Sequence, residues 1–358
     1  MYKRSRSRHS SLSLGNPGTW RRTAGWVRDA QRENIRKEAC NMSKPISNDV
    51  LKIQRGLARK AMASPSHRFE KLWRVLYQED WLKTAQAHVL SNKGARTPGV
   101  DGVTKKDLQA ETQKAAQIAR ILENLKSGKY RPQPVRRKDI PKPGKKETRP
   151  LGIPTMDDRV VQEAVRMMLE PIWESDFLEC SSGFRPGRKT WDAISEIYNR
   201  IPNSHNRHRW IIEGDIRKCF DRINHNILLK LIEKRVNDRR IVNLIAGMLK
   251  AGVMDDGIFA RTEEGTPQGG PISPLLANIY LHELDVWMQR HGPGLTPSQK
   301  RQRRTKHIGN AIYVRYADDF VILWNGPRST AEALREELRL FLTNELHLEL
   351  SLEKTKIT

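Results

Sequence analysis

Two adjacent aspartates bracketed by apolar residues restrict the fold of this chain more than any other feature of its sequence. Asp318 and Asp319 stand in the middle of the segment YVRYADDFVIL. The β-branched and aromatic residues on both sides predict strand, turn and strand over residues 311–323. Two carboxylates fixed at a hairpin tip repel each other and resist partial burial, and a divalent cation relieves both costs. The alternative interpretation is an ordinary charged hairpin turn.

A third acid, far away in the chain, has a similar setting. Asp215 ends the segment RWIIEGD, whose isoleucine pair predicts a strand. Phosphoryl transfer to a hydroxyl uses two Mg²⁺ ions about 3.5–4 Å apart, and Mg²⁺ takes oxygen ligands. Two adjacent aspartates and one from a distant strand would supply such ligands. A shared metal site would require Asp215 to lie beside Asp318 and Asp319.

The charge balance indicates a polyanionic partner. The chain has 358 residues, with 65 Lys and Arg against 41 Asp and Glu, and a net charge of +24. Each phosphate neutralised by such side chains releases counterions, which favours nucleic acid over a plain solvated surface. No apolar run is long enough for a membrane span, so we expect no membrane partner. Three widely separated cysteines form neither a disulfide framework nor a zinc pattern, which indicates a reducing compartment.

Composition divides the chain into three segments. Residues 1–47 are predicted to be a basic, disordered extension, and residues 1–41 hold ten Lys or Arg against three Asp or Glu. An RNA-binding tail, a transit peptide and an over-extended gene start, with Met42 as the natural initiator, are the interpretations left open. Residues 48–100 are predicted to be a helical extension, and residues 101–358 the main domain.

Smaller signals predict local structure within the main domain. The prolines between residues 130 and 153 favour an extended, cation-rich hairpin. Asp157 is predicted to cap the helix that follows, and Trp191 to lie in the core. The segment LELSL, residues 348–352, predicts a final strand.

Six segments, in chain order, resemble the successive blocks of group II intron reverse transcriptases, or maturases: KPGKKETRPLGIPTMDDR, SSGFRPGRKTWDAI, EGDIRKCFDRINH, GTPQGGPISPLLANIYL, YVRYADDFVIL and LHLELSLEKTKI. TPGVDG, near residue 100, is similar to their N-terminal extension block. The resemblance covers residues 92–358, and more loosely begins at residue 48. It implies an α+β right-hand polymerase fold, with α-helical and β-hairpin fingers and a ferredoxin-like palm. The family's thumb is expected to be absent, because the chain stops after the palm blocks.

The resemblance also assigns roles to individual residues. Asp215, Asp318 and Asp319 match the catalytic triad that holds two Mg²⁺ ions, with Mn²⁺ as a substitute, and the Ile216 carbonyl is expected to help. The other matched residues are expected to bind the incoming nucleotide or its leaving group. They are the fingertip cations Lys142 and Arg149, the steric gate Phe220, the pocket loop Gln268 and Gly269, and the proton donor Lys354, with Lys356 as a second candidate.

The resemblance implies a function with defined partners. We expect an RNA-directed DNA polymerase that extends a DNA primer on an intron RNA template from dNTPs and assists intron splicing and mobility. The alternatives are a non-catalytic RNA-binding maturase remnant and a host-adopted reverse transcriptase. The expected location is the bacterial cytoplasm, ahead of an organellar matrix. Whether the chain forms a homodimer is left open.

Overall fold

The computed structural model describes residues 47–141, 144, 148–200, 208–255, 257–262, 264–266 and 269–358. Two predicted site residues, Lys142 and Gln268, lie outside the described residues. The prediction of disorder for residues 1–47 likewise falls almost wholly outside them. Contacts divide the chain after Pro45, and the unit Ile46–Thr358 holds everything described below. This unit mixes helices with two sheets, as the predicted α+β class requires.

A buried central helix organises the N-terminal part of the unit. Helix α5 (Met156–Trp173) is buried around most of its circumference: fourteen of its residues are buried, four of them polar or charged. Such a helix needs neighbours on every side. It contacts four preceding helices, α1 (Asn48–Ala63), α2 (Trp73–Leu76), α3 (Glu79–Ser91) and α4 (Glu111–Lys126).

The start of α5 corrects the predicted cap. Thr155 is the N-cap, and its hydroxyl accepts a hydrogen bond from the Asp158 backbone amide. Asp157 instead accepts two hydrogen bonds from Arg120, on α4. The prediction of Asp157 as the cap was wrong because Thr155 lies one position before the first helical residue, where a side-chain oxygen reaches the free amides.

The first sheet carries the predicted cationic hairpin. Strands β1 (Val135–Pro141) and β2 (Thr148–Ile153) pair antiparallel, which confirms that hairpin. Strand β1 also pairs parallel with β4 (Val253–Asp255), and β4 pairs antiparallel with β5 (Ile258–Ala260). The strand order is β2-β1-β4-β5.

The second sheet positions the predicted site. It has the order β3-β7-β6, with β3 at Trp210–Asp215, β6 at Ala311–Tyr316 and β7 at Asp319–Trp324. Both neighbouring pairs are antiparallel. The strands predicted around Asp215 and around Asp318-Asp319 are therefore confirmed. The predicted final strand at residues 348–352 is not formed, and that segment meets β3's end through one isolated bridge, Ile216 to Leu350.

Six helices complete the unit. They are α6 (Thr190–Arg200), α7 (His225–Glu233), α8 (Arg239–Lys250), α9 (Ser273–Gln289), α10 (Pro297–Thr305) and α11 (Arg328–Leu346). Helix α9 is buried along most of its length. Trp191, on α6, is 69% exposed, so its placement in the core was wrong. Among the described residues, none of the helices combines the length and the apolar character needed to cross a bilayer.

Candidate active site

A two-residue turn presents the aspartate pair. Tyr316 and Asp319 face each other as the last pair of β6 and β7, so Ala317 and Asp318 form the turn between them. Ala317 has φ 57°, a left-handed conformation that two-residue hairpin turns favour at their centre. Asp318 is therefore at the tip and Asp319 at the first position of β7. This is the hairpin that the sequence predicts.

The register of the sheet brings the third acid to the same place. Asp215, the last residue of β3, is the cross-strand partner of Asp319. Directly opposite Cα atoms in an antiparallel pair are about 4.5–5.5 Å apart. Asp215 and Asp319 consequently share one end of the sheet with the Asp318 turn, about 100 residues further along the chain than Asp215.

The three carboxylates at this end of the sheet carry like charges and repel one another. Burial raises the pKa of Asp318, and the charges of Asp319 and Asp215 raise it further, while Arg149 lowers it. Burial also raises the pKa of Asp319, with Asp215 as the second cause. A raised carboxyl pKa means that the fold disfavours the ionised form. A cation that binds beside these carboxylates would therefore stabilise their ionised forms.

One cation of the chain already lies there. The Lys354 ammonium donates a hydrogen bond of 2.8 Å to Oδ2 of Asp215, and this bond raises the pKa of Lys354. Within the described ranges, no three His, Cys, Asp or Glu side chains are arranged as a ready ligand set for a metal ion. The donors nevertheless fit Mg²⁺, because they are hard oxygens whose charges need a cation, and the Lys354 ammonium already pairs with one of the three carboxylates.

Asp215 and Asp318 line a cavity of about 1330 Å³, together with several of the predicted nucleotide-binding residues, whereas Asp319 is not among its lining residues. The structure brings together Asp215, Asp318, Ile216, Arg149, Phe220, Gly269 and Lys354 around it. Gly269 lies so close to β2 that an added Cβ would approach the Gly152 carbonyl oxygen to 2.6 Å. Glycine at this position lets the pocket loop approach the hairpin that carries Arg149.

A buried network that the sequence did not reveal holds the turn at Ala317 and Asp318. Arg315 has no exposed surface and donates to both carboxylate oxygens of Asp285, at 2.7 and 2.6 Å. Its Nη1 donates to Oδ1 of Asn278 at 3.0 Å and to the carbonyl of Ala317 at 2.7 Å. Arg315 thus ties helix α9 to the residue directly before Asp318. The only sequence signal is an arginine within the apolar run of β6.

A second residue beside the site was also missed. Phe184 lines the cavity, and its ring meets that of Phe220 edge to face, with centroids 6.1 Å apart. It belongs to the segment GFRPGR, whose glycines and proline give no periodic pattern. Only the fold, which places this loop against the turn at Ala317, reveals it.

The fold and the site define the class of the protein: a polymerase-type palm, with an acidic hairpin at one end of its sheet and a basic β-hairpin beside its cavity. The family described as "Reverse transcriptase (RNA-dependent DNA polymerase)" matches residues 140–358, more than half of the chain. The chain belongs to this reverse transcriptase family.

Similar proteins come from bacteria and from organelles. "Protein YkfC" of Escherichia coli (strain K12) is 43% identical over 324 residues, which cover 86% of this chain and 84% of that protein. "Group II intron-encoded protein LtrA" of Lactococcus lactis subsp. cremoris is 38% identical over 335 residues, covering 81% of this chain and 54% of LtrA. The chain thus spans about half the length of LtrA. The homologues of this chain include group II intron-encoded proteins and intron maturases.

A solved structure has a weaker similarity. One chain of a "Partial Cas6-RT-Cas1--Cas2 complex" matches with a TM-score of 0.43 and 21% identity, over 76% of this chain and 43% of that chain.

Proposed function

We propose that the chain is an RNA-directed DNA polymerase that adds deoxynucleotides to a primer 3′-hydroxyl, and that it serves the splicing and mobility of a group II intron. The observation that carries the proposal is the register that pairs Asp215 with Asp319 beside the Asp318 turn. Strands joined in that register leave no other place for the three carboxylates than one end of the sheet.

The three aspartates and the Ile216 carbonyl would hold the metal ions. When bound, two Mg²⁺ ions lower the pKa of an attacking hydroxyl and neutralise the charge that develops on the leaving pyrophosphate. The residues themselves remain fixed, because each carboxylate stands at the end of a paired strand or in its turn. Such fixed oxygens need little reorganisation during the reaction.

The remaining cavity residues would bind and select the nucleotide. Arg149 carries five N–H donors that match a triphosphate, and Lys142 would add a second charge. Phe220 is half-buried at the cavity wall, where its ring would leave no room for a ribose 2′-hydroxyl. Gly269 would bring the pocket loop, with Gln268, close to the base pair. The proposed substrates are therefore dNTPs.

Lys354 would donate a proton to the departing pyrophosphate. Its hydrogen bond to Asp215 raises the pKa of the ammonium, so the group is protonated at neutral pH. Lys354 would first have to leave the Asp215 carboxylate, to which its ammonium is hydrogen-bonded. The lysine would then be free to meet the leaving group.

The same ion pair favours a second candidate, an RNA-binding maturase without turnover. If Lys354 remained on Asp215, the carboxylate would be neutralised by the chain itself and metal binding would be weak. The large positive net charge serves RNA binding equally well in both cases.

Primer extension separates the two candidates. The assay measures Mg²⁺-dependent incorporation of dTTP on poly(rA)/oligo(dT) by the wild-type chain, by Asp318→Ala and by Glu213→Ala. Glu213 is the matched control because it is an exposed acid on the same strand as Asp215. Incorporation that Asp318→Ala abolishes and Glu213→Ala retains supports the polymerase. Tight RNA binding without incorporation in the wild type would support the second candidate.

A further inference from the structure

Helix α10 (Pro297–Thr305) has an unusual place in the fold because none of its residues is buried. Polar contacts hold it instead. Thr296 and Gln299 form a capping box at its start. Arg303 Nε donates to the Gly309 carbonyl at 2.8 Å, and Asn310 Nδ2 donates to the Lys300 carbonyl at 3.1 Å. The helix is therefore fixed to the start of β6 without contributing to the core.

The helix carries a concentration of positive charge, and the acid that lies near it, Glu337 on α11, acts on Arg303. Residues 286–317 contain seven Lys or Arg and no Asp or Glu. Arg304 stands three positions after Arg301 and four after Lys300, a spacing at which like charges repel on a helix. In the part of the chain that the structure describes, none of these three forms an ion pair. Among the described residues, the charges of Lys300, Arg301 and Arg304 therefore have no acidic partner.

The position of α10 separates it from the catalytic cavity. Strand β6 runs from Ala311, next to α10, to Tyr316, next to the Asp318 turn. Ala311 pairs with Trp324, at the opposite end of β7 from Asp319. Five steps along a strand span about 17 Å. The cations of α10 consequently lie too far away to hold a nucleotide at Asp318.

We propose that Lys300, Arg301 and Arg304 form a docking surface for the phosphate backbone of structured RNA outside the catalytic cavity. This inference rests on the proposed function, because RNA is the molecule that the cavity would copy. Guanidinium groups match phosphate oxygens two at a time, and helical spacing presents the three cations on one face. A lipid surface fits poorly, because the segment PSQKRQRRT has no apolar face to insert.

The test compares two triple variants of the full chain. Lys300→Gln, Arg301→Gln and Arg304→Gln remove the surface. Lys230→Gln, Arg239→Gln and Lys250→Gln, on α7 and α8, are the matched control, because these exposed cations lower the net charge of +24 by the same three units. A third variant, Lys300→Arg, Arg301→Lys and Arg304→Lys, keeps the charge. Fluorescence anisotropy then follows binding of a hairpin RNA over a range of salt concentrations.

We expect the α10 Gln variant to lose about tenfold or more in affinity, with a salt dependence shallower by about two to three counterions. The control and the charge-keeping variants should match the wild type. Equal losses in the α10 and control variants would overturn the inference, as would a loss for anionic vesicles or duplex DNA but not for RNA. Primer extension on a short unstructured template should be unaffected. A wild type that binds RNA but copies none would refute the proposed function and leave this comparison decisive.

A separate observation concerns the cavity wall. Phe184 is 51% exposed and has φ 58°, a conformation that side chains of its size rarely adopt. Its neighbours are fixed. A Cβ on Gly183 would meet the Ala317 amide at 2.2 Å, and the buried Arg185 pairs with Glu174 at 3.0 Å. The strained backbone therefore holds an exposed aromatic ring in the cavity. Backbone strain of this kind is concentrated at functional sites.

The geometry points to Phe184 as a positioning residue for Phe220. The two rings are nearly perpendicular, at 83°, with centroids 6.1 Å apart, as in favourable edge-to-face pairs. Phe184 would restrict the rotation of Phe220 away from the sugar and so sharpen the choice of deoxynucleotides. This proposal also rests on the proposed function, since it deepens the selectivity of the same site.

The test measures kcat/KM for dTTP and for UTP on poly(rA)/oligo(dT). Phe184→Ala and Phe184→Leu should lower the ratio of kcat/KM for dTTP to that for UTP about two- to tenfold, the range that an aromatic pair contributes. Phe184→Tyr should retain the wild-type ratio. Trp191→Ala is the control, because Trp191 is an exposed aromatic that does not line the cavity. A ratio that stays unchanged in both the Ala and Leu variants, while Phe220→Val lowers it, would overturn the inference.

Discussion

Replacement of Arg315 by Met should destabilise the chain strongly, because it breaks a fully buried ion pair. Arg315 and Asp285 have no exposed surface, and two hydrogen bonds of 2.6 and 2.7 Å join them. Without the guanidinium, the Asp285 carboxylate remains buried, with the Tyr313 hydroxyl donating to it at 3.1 Å. Removal of one partner of a buried pair costs about 3–5 kcal/mol. The free energy of unfolding should fall by that amount.

Removal of both charges should cost less stability than removal of Arg315 alone. The double variant Arg315→Met with Asp285→Leu replaces both charges by apolar groups, which often changes stability little. Urea unfolding followed by circular dichroism measures each free energy, and the midpoint of Arg315→Met should fall by about 1–2 M. We expect the double variant to be at least about 2 kcal/mol more stable than Arg315→Met. A loss below about 1 kcal/mol in Arg315→Met, or additive losses in the double variant, would refute the reasoning.

Three further predictions concern the cavity. Asp318→Asn should lower incorporation about a thousandfold or more. The Asp318→Asn variant should also be at least as stable as the wild type at pH 7. The pKa of Asp318 is raised in the folded state, so the stability of the wild type falls as the pH rises through that pKa. Activity and urea unfolding, measured on the same variant, check both expectations. Phe220→Val should increase UTP incorporation relative to dTTP in single-nucleotide extension, and an unchanged ratio would exclude the gate. Lys354→Gln should lower kcat and flatten the alkaline limb of the pH profile of kcat, whereas Lys354→Arg should retain most of kcat. An equal loss of kcat in the two variants would count against proton donation.

The strands and the hairpin that carry the three aspartates were predictable from the local sequence. Apolar residues on both sides of Asp318-Asp319 fix a hairpin, because no other local structure buries two such runs and exposes the turn. The strand that ends at Asp215 follows from similar composition. Their convergence required the ordered blocks of the family, since pairing between strands about 100 residues apart leaves no local trace.

The errors arose where tertiary contacts override local preference. Trp191 satisfies the residue type expected of a core position, yet its helix presents that face to solvent. The segment at residues 348–352 has the alternation of a strand, but it forms only one isolated bridge to the end of β3. Arg315 shows the converse. A charge within an apolar strand predicts exposure, and only the facing Asp285 on α9 makes its burial favourable.

The claim that Asp215, Asp318 and Asp319 form one divalent-metal site is tested most directly by Mn²⁺ binding, followed by electron paramagnetic resonance of the free ion. The wild-type chain should bind Mn²⁺ in the presence of primer–template and dTTP, and Mg²⁺ should displace it. Asp215→Asn and Asp319→Asn should each weaken that binding about tenfold or more, while Glu213→Gln should not. If Asp215→Asn bound Mn²⁺ as tightly as the wild type, Asp215 would not share a metal site with the hairpin pair, and the account would be contradicted.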